Sequence, residues 1–187
     1  TRKGPNGADA LNRRLQEALN PGRPGQAEVT ALGLEGEPER FRVGDRVMQV
    51  RNNYEKMVFN GELGRVVAVD PEEETVTVVF DETDEPQEVL YTSGELEELQ
   101  LAYATSVHKS QGSEYPVVVM PIVWVMPALM SRNLLYTAIT RAKRMVVLVG
   151  QVDALARYCR GPQAVEVRAS RLAARLREAV ARPDEPR

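Results

Sequence analysis

The sequence predicts an α/β protein: a parallel sheet with helices, interrupted by a small strand-rich barrel. Three observations predict it. In the second half, an apolar β-branched run (Val117–Ile122), a helical stretch (Asn133–Ala142) and a second apolar run (Met145–Val149) alternate as strand, helix and strand. Between residues 41 and 98, short strand-like runs are separated by tight turns. Charge divides the chain in the same way. The formal net charge is -3, yet Asp70 to Glu98 holds twelve acidic residues and no Lys or Arg. Taking those twelve from 27 leaves 15 acidic against 24 basic residues, a body of +9. A basic body suits phosphate partners, and the acidic block repels a nucleic-acid backbone.

The elements follow in order. Gly7–Leu19 has helical spacing, with Leu11, Leu15 and Leu19 on one stripe, Asn6 as N-cap and Asn20-Pro21-Gly22 as the stop. Pro21 to Pro38 is rich in Gly and Pro and reads as a loop. Phe41 to Val50 is a turn followed by a strand. Leu63–Val69, Thr75–Phe80 and Gln87–Tyr91 are strands, with Val76 and Val78 facing opposite to Thr75 and Thr77. Gly61, Gly64 and Val66-Val67 fit an SH3-like or KOW-like barrel. Leu101–Thr105 is strand-like, Gln151–Arg160 is helical, and Ala164–Arg187 continues as an Arg/Ala-rich helix that frays after Pro183.

Several function classes are excluded or unsupported. The longest apolar run, Val117–Met130, is broken by Pro121 and Pro127 and falls short of the roughly 20 residues of a membrane span. Cys159 is the only cysteine, so no internal disulfide forms, and a reducing cytoplasm is the expected location. No metal-ligand spacing and no Ser-His-Asp order is present. The chain opens Thr1-Arg2-Lys3-Gly4, without Met, and reads as entering in mid-fold.

Two stretches carry the chemistry. In the first, Thr105, Ser106, His108, Lys109, Ser110 and Gln111 crowd a strand end ahead of Gly112. Hydroxyls, backbone N–H groups at a helix start and one Lys make a phosphate-binding surface. In the second, Arg141 sits on the border between the apolar and polar faces of the helix at Asn133. Its stem can be packed while the guanidinium reaches an oxyanion. Taken singly, each also reads as a plain surface feature: an amphipathic helix with surface arginines, and a lone histidine.

Together they are more specific. Val107-His108-Lys109-Ser110-Gln111-Gly112-Ser113-Glu114 resembles motif V of superfamily 1 DNA helicases of the RecD type, and Asn133 through Lys143 resembles motif VI. Gly7 to Asn12, Leu15-Gln16 and Leu19-Asn20-Pro21 resemble the segment after motif IV. Gly44 to Gln49, Asn52-Asn53-Tyr54 and Phe59-Asn60-Gly61 resemble the stretch leading into that family's SH3-like insertion.

The resemblance implies a RecA-like domain in two parts, 1–54 and 99–160, around an insertion at 55–98, with a C-terminal helix or tail at 161–187. It implies that Arg141 contacts the γ-phosphate of ATP as an arginine finger. Gln111, Gly112 and Glu114 then lie near the nucleotide. Thr105, Ser106, His108, Lys109, Asn52, Asn53 and Tyr54 face single-stranded DNA, and Arg2 and Lys3 fall near motif IV. No Gly-x-x-x-x-Gly-Lys-Ser/Thr loop occurs. The resemblance therefore assigns the phosphate cradle and the Mg²⁺ ligands to an N-terminal RecA-like domain, and the motor it implies moves 5′ to 3′ by inchworm closure. Alone, the chain is expected to hydrolyse no ATP. The competing reading is a non-catalytic SH3/KOW-like module. It would bind nucleic acid along an edge of Arg42, Arg46, Arg51, Lys56 and Arg65, or dock a basic protein partner on its acidic block.

Overall fold

The computed structural model describes residues 4, 6–33, 36–80, 86–125, 129–161 and 177. Arg2, Lys3, the acidic residues Asp81, Glu82, Asp84 and Glu85, and nearly all of the expected C-terminal helix lie outside the described residues. The chain forms two compact units, 1–114 and 115–187.

The first unit begins with helix α1 (Ala8–Leu19). Its buried face is not the leucine stripe. Ala8, Asn12 and Gln16 are buried, while Leu19 is 68% exposed. The reason is that polar side chains on this face find backbone and carboxylate partners, which offsets the cost of burying them.

The Gly/Pro-rich stretch expected to be a loop instead holds an antiparallel hairpin, β1 (Glu28–Leu32) and β2 (Pro38–Arg42). Pro38 stands at the first residue of its strand, where a missing N–H is tolerated. The hairpin packs on a five-stranded antiparallel sheet. Its strands are β3 (Arg46–Gln49), β4 (Leu63–Asp70), β5 (Thr75–Phe80), β6 (Gln87–Tyr91) and β7 (Leu99–Leu101). They lie in the order β6-β5-β4-β3-β7.

A 3-10 helix, Ser93–Glu98, links β6 to β7, its start closed by a reciprocal Thr92–Glu95 capping box. Strands β3 and β7 lie outside the interval 55–98, so the sheet draws on both flanks of that interval. Among the described residues the two edge strands, β6 and β7, are not paired with each other.

Alternation along β5 is strict, with Val76, Val78 and Phe80 inward. They join Val29, Phe41, Val47, Val66, Val89, Tyr91, Leu96 and Leu99 in one core. Burial pushes the Tyr91 hydroxyl well above the ordinary tyrosine range, and the hydroxyl donates to Gln49 Oε1 at 2.8 Å.

The second unit is a β-α-β unit followed by a helix: β8 (Tyr115–Ile122), α2 (Arg132–Ile139), β9 (Ala142–Gly150) and α3 (Val152–Arg160). Strands β8 and β9 pair in parallel, as their spacing predicts. Ser131 caps α2 by accepting from the Leu134 N–H at 3.2 Å. Both strands were expected to be buried, and they are only partly so. Met120 and Ile122 are covered, whereas Val119 is 63% and Met145 57% exposed. Both helices pack on β8, and a two-stranded sheet packed by two helices leaves apolar surface open.

Candidate functional site

In the first unit the expected DNA and nucleotide segment leaves the sheet at Leu101. Strand β7 ends there, and it pairs with β3 of the barrel-like sheet. The expected strand to Thr105 and helix start after it are replaced by consecutive turns. The Ser110 N–H donates to the Ser106 carbonyl at 3.1 Å, and the Ser113 N–H to the Ser110 carbonyl at 3.2 Å. The Lys109, Ser110, Gln111 and Ser113 N–H groups are thus bonded within the segment, and no helix dipole stands behind it.

Thr105, Ser106 and Lys109 line one shallow pocket together with Ala8, Met48 and Gln100. Thr105 Oγ1 is buried there without a hydrogen-bond partner among the described residues. Lys109 Nζ donates to Gln100 Oε1 at 2.9 Å, and Gln100 Nε2 donates to Asp9 Oδ1 on α1 at 3.2 Å. His108, Gln111, Gly112 and Glu114 are exposed. Gly112 has φ +89°, a turn conformation that glycine adopts without strain.

Asn52, Asn53 and Tyr54 lie on a separate loop, closed by a bridge between Asn53 and Val58. Asn53 has an internal structural role: it donates to Glu98 Oε2 and accepts from the Lys56 N–H, both at 3.1 Å. Asn52 Oδ1 accepts from the Asn60 N–H at 2.9 Å. Tyr54 is 72% exposed and meets Phe59 edge-on at 6.0 Å, so a ring face is open to stacking.

The basic edge weighed for a binding module is largely committed elsewhere. Arg42 is buried and bonded to Glu28 (2.5 Å) and Glu17 (2.7 Å). Burial works against its charge, but the two carboxylates outweigh it and raise its pKa. Arg51 pairs with Glu97, and Lys56 with Glu95 at 2.6 Å while lying over the Tyr91 ring.

In the second unit, α2 stops at Ile139, so Arg141 is not a helical residue. It occupies the turn into β9. Its Nε donates to the Thr137 carbonyl at 3.3 Å, one of the last carbonyls of α2, and its own carbonyl accepts from the Tyr115 N–H at 2.8 Å. The side chain is thereby tied to the C-terminal end of α2.

Leucine spacing hid one group of residues. Asp45 is fully buried and accepts from Gln16 Nε2 (2.6 Å), Asn20 Nδ2 (2.7 Å), the Arg42 N–H (2.8 Å) and Tyr103 Oη (2.8 Å). The signal was present in Asn12, Gln16 and Asn20, which recur every four residues along one face of α1.

Among the described residues there is no cluster of His, Cys, Asp or Glu able to hold a metal ion. Nor is any helix there long and apolar enough to cross a membrane.

Residues 11–80 match the family model described as the ATP-dependent RecD-like DNA helicase SH3 domain, and residues 101–149 match the UvrD-like helicase C-terminal domain. The chain is 41% identical over 153 residues to an ATP-dependent RecD2 DNA helicase of Deinococcus radiodurans, covering 82% of this chain and 19% of that protein. It is 33% identical over 178 residues to the RecBCD enzyme subunit RecD of Mycolicibacterium smegmatis, covering 95% of this chain and 28% of that one. The chain thus spans less than a third of the length of either relative. In fold it is similar to a Pif1 helicase from Bacteroides solved with ADP-AlF3 and single-stranded DNA. The TM-score is 0.57 at 18% identity, over 97% of this chain and 48% of that one. The SH3 match, the UvrD-like match behind it and the RecD relatives agree, and the chain belongs to the RecD-type helicase family.

Proposed function

We propose that this chain is the C-terminal motor portion of an ATP-dependent 5′–3′ DNA helicase of the RecD type. The observation that carries the reading is the order of the two domain matches, a RecD-like SH3 domain followed by a UvrD-like C-terminal domain.

The chain has no phosphate-cradling loop of its own. What it offers to ATP is Arg141. Arg141 stands in the turn between α2 and β9, with its Nε on the Thr137 carbonyl, and a guanidinium held at the edge of a sheet suits a contact to the γ-phosphate made from outside the cradle. Bound ATP with Mg²⁺ supplies the phosphoryl group whose transfer drives the motor. Gln111, Gly112 and Glu114 form the nucleotide side of the turn segment, and Thr105, Ser106, His108 and Lys109 its DNA side. Tyr54 adds an exposed ring. Because both sides belong to one ten-residue stretch, movement at one displaces the other. The N-terminal RecA-like domain that completes the site is the expected partner.

The test uses the chain with and without a separately supplied P-loop motor domain. The chain alone is expected to hydrolyse no ATP, with or without single-stranded DNA. Adding the motor domain should restore DNA-stimulated hydrolysis, and Arg141→Ala should lower it by ~10³-fold while the variant keeps its fold. Robust turnover by the chain alone, or full activity of the Arg141→Ala pair, would sink the reading.

A further inference from the structure

The polar face of α1 does more than seat a helix. Asn12 is 3% exposed. Its Nδ2 donates to the carbonyls of Leu101 (2.8 Å) and Ala104 (3.0 Å), and its Oδ1 accepts from the Ala104 N–H at 2.6 Å. One carboxamide thus uses both donors and its acceptor on a stretch of backbone that has just left the sheet. One turn earlier, Asp9 accepts from Gln100, which accepts from Lys109. One turn later, Gln16 donates to Asp45, which also accepts from Tyr103. So α1 holds Gln100, Leu101, Tyr103 and Ala104, and reaches Lys109, along a single face. No regular secondary structure performs that task after Leu101.

We infer that Asn12 is a positioning residue, which fixes Leu101–Ala104 against α1 and thereby sets the conformation of Thr105–Lys109. Its functional meaning rests on the DNA-contact reading of that segment. Strand pairing ends with Leu101 and the Ala102 N–H, which donates to the Arg46 carbonyl at 2.8 Å; the backbone beyond samples many conformers unless side chains select one, and a contact made by Thr105, Ser106 and Lys109 together requires one.

The experiment combines amide hydrogen exchange with binding of a fluorescein-labelled oligo-dT, on the whole chain and on Asn12→Ala and Asn12→Asp. Asn12→Asp keeps the acceptor for Ala104 but loses both donors. Expected in both variants is at least roughly tenfold faster exchange of the Ala104–Ser110 amides, with β3, β4 and β5 protection retained. Expected with it is a weaker oligo-dT affinity, by roughly three- to tenfold in Asn12→Ala.

Unchanged exchange in a folded Asn12→Ala variant overturns the inference. Faster exchange with unchanged affinity overturns its link to DNA. If the unaltered chain does not bind oligo-dT at all, the DNA reading fails, and exchange alone then decides the positioning role. Should both variants unfold, denaturant-dependent exchange of the unaltered chain decides. Ala104 opening together with the α1 amides supports the inference, and Ala104 opening independently overturns it.

Discussion

Tyr103 Oη donates to Asp45 Oδ1 at 2.8 Å, joining the segment that follows β7 to the turn between β2 and β3 across 58 residues. Burial, then this hydrogen bond to a carboxylate, pushes the Tyr103 pKa up to about 12. A tyrosine in the unfolded chain titrates near 10. The raised group contributes stability that is complete below pH ~10 and is lost as pH rises through ~12. The gap in urea stability between the unaltered chain and Tyr103→Phe should therefore be constant from pH 7 to 9, at about 1 kcal/mol, and should shrink above pH 10. A gap that does not change up to pH 12 would refute the coupling.

Asp45 should be the most sensitive polar position in the first unit. Asp45→Ala removes an acceptor shared by four donors: Gln16 and Asn20 keep the Arg40 and Val43 carbonyls, but the Arg42 N–H and the Tyr103 hydroxyl lose their carboxylate. At ~1.5 kcal/mol or more for each hydrogen bond to a charged group, a loss of about 4 kcal/mol or complete unfolding is expected in chemical denaturation. A loss under ~1 kcal/mol would show that the network is not cooperative.

The Lys56–Glu95 pair gives an acid signature. Burial alone would raise the Glu95 pKa, but hydrogen bonds from Lys56 and Thr92 outweigh it and lower it. A depressed carboxylate contributes stability above its unfolded value, near 4.3, and loses it as pH falls through the folded value. Glu95→Gln should cost about 0.5–1 kcal/mol at pH 7 and progressively less below pH ~4, read from thermal midpoints.

Gly64 is fixed by close approach across the β4–β5 pair. A Cβ there would lie 2.6 Å from Val78 Cγ1 and 2.9 Å from the Val79 carbonyl oxygen. Gly64→Ala should destabilise the chain by about 2 kcal/mol, because the backbone atom cannot step aside. A midpoint equal to that of the unaltered chain would contradict the geometry.

Lys109→Ala should weaken oligo-dT binding and reduce the salt slope by about one released counterion. Affinity titrations at several salt concentrations measure this, and an unchanged slope would remove Lys109 from the phosphate contacts.

Local pattern was enough for β5, where strict alternation of Val76, Val78 and Phe80 matched one buried face. It was enough for the two apolar runs that became the parallel pair β8 and β9, and the paired stretches at 105–114 and 133–143 were enough to point to the family. Pattern failed where burial depended on distant partners. The leucines of α1 gave the correct helix but the wrong face, because Asn12 and Gln16 have acceptors up to 92 residues away, which no local period encodes. The hairpin β1–β2 was masked by Gly and Pro, whose propensities are overridden once strands pair and pack on a core. The helical spacing placed Arg141 on α2, whereas the structure places it beyond the last turn, beside the Thr137 carbonyl. The sequence by itself determined the class of each element and the chemistry available to it. The tertiary structure decided which face is buried and which polar side chains are held, because partners for buried polar atoms exist only once the chain has folded.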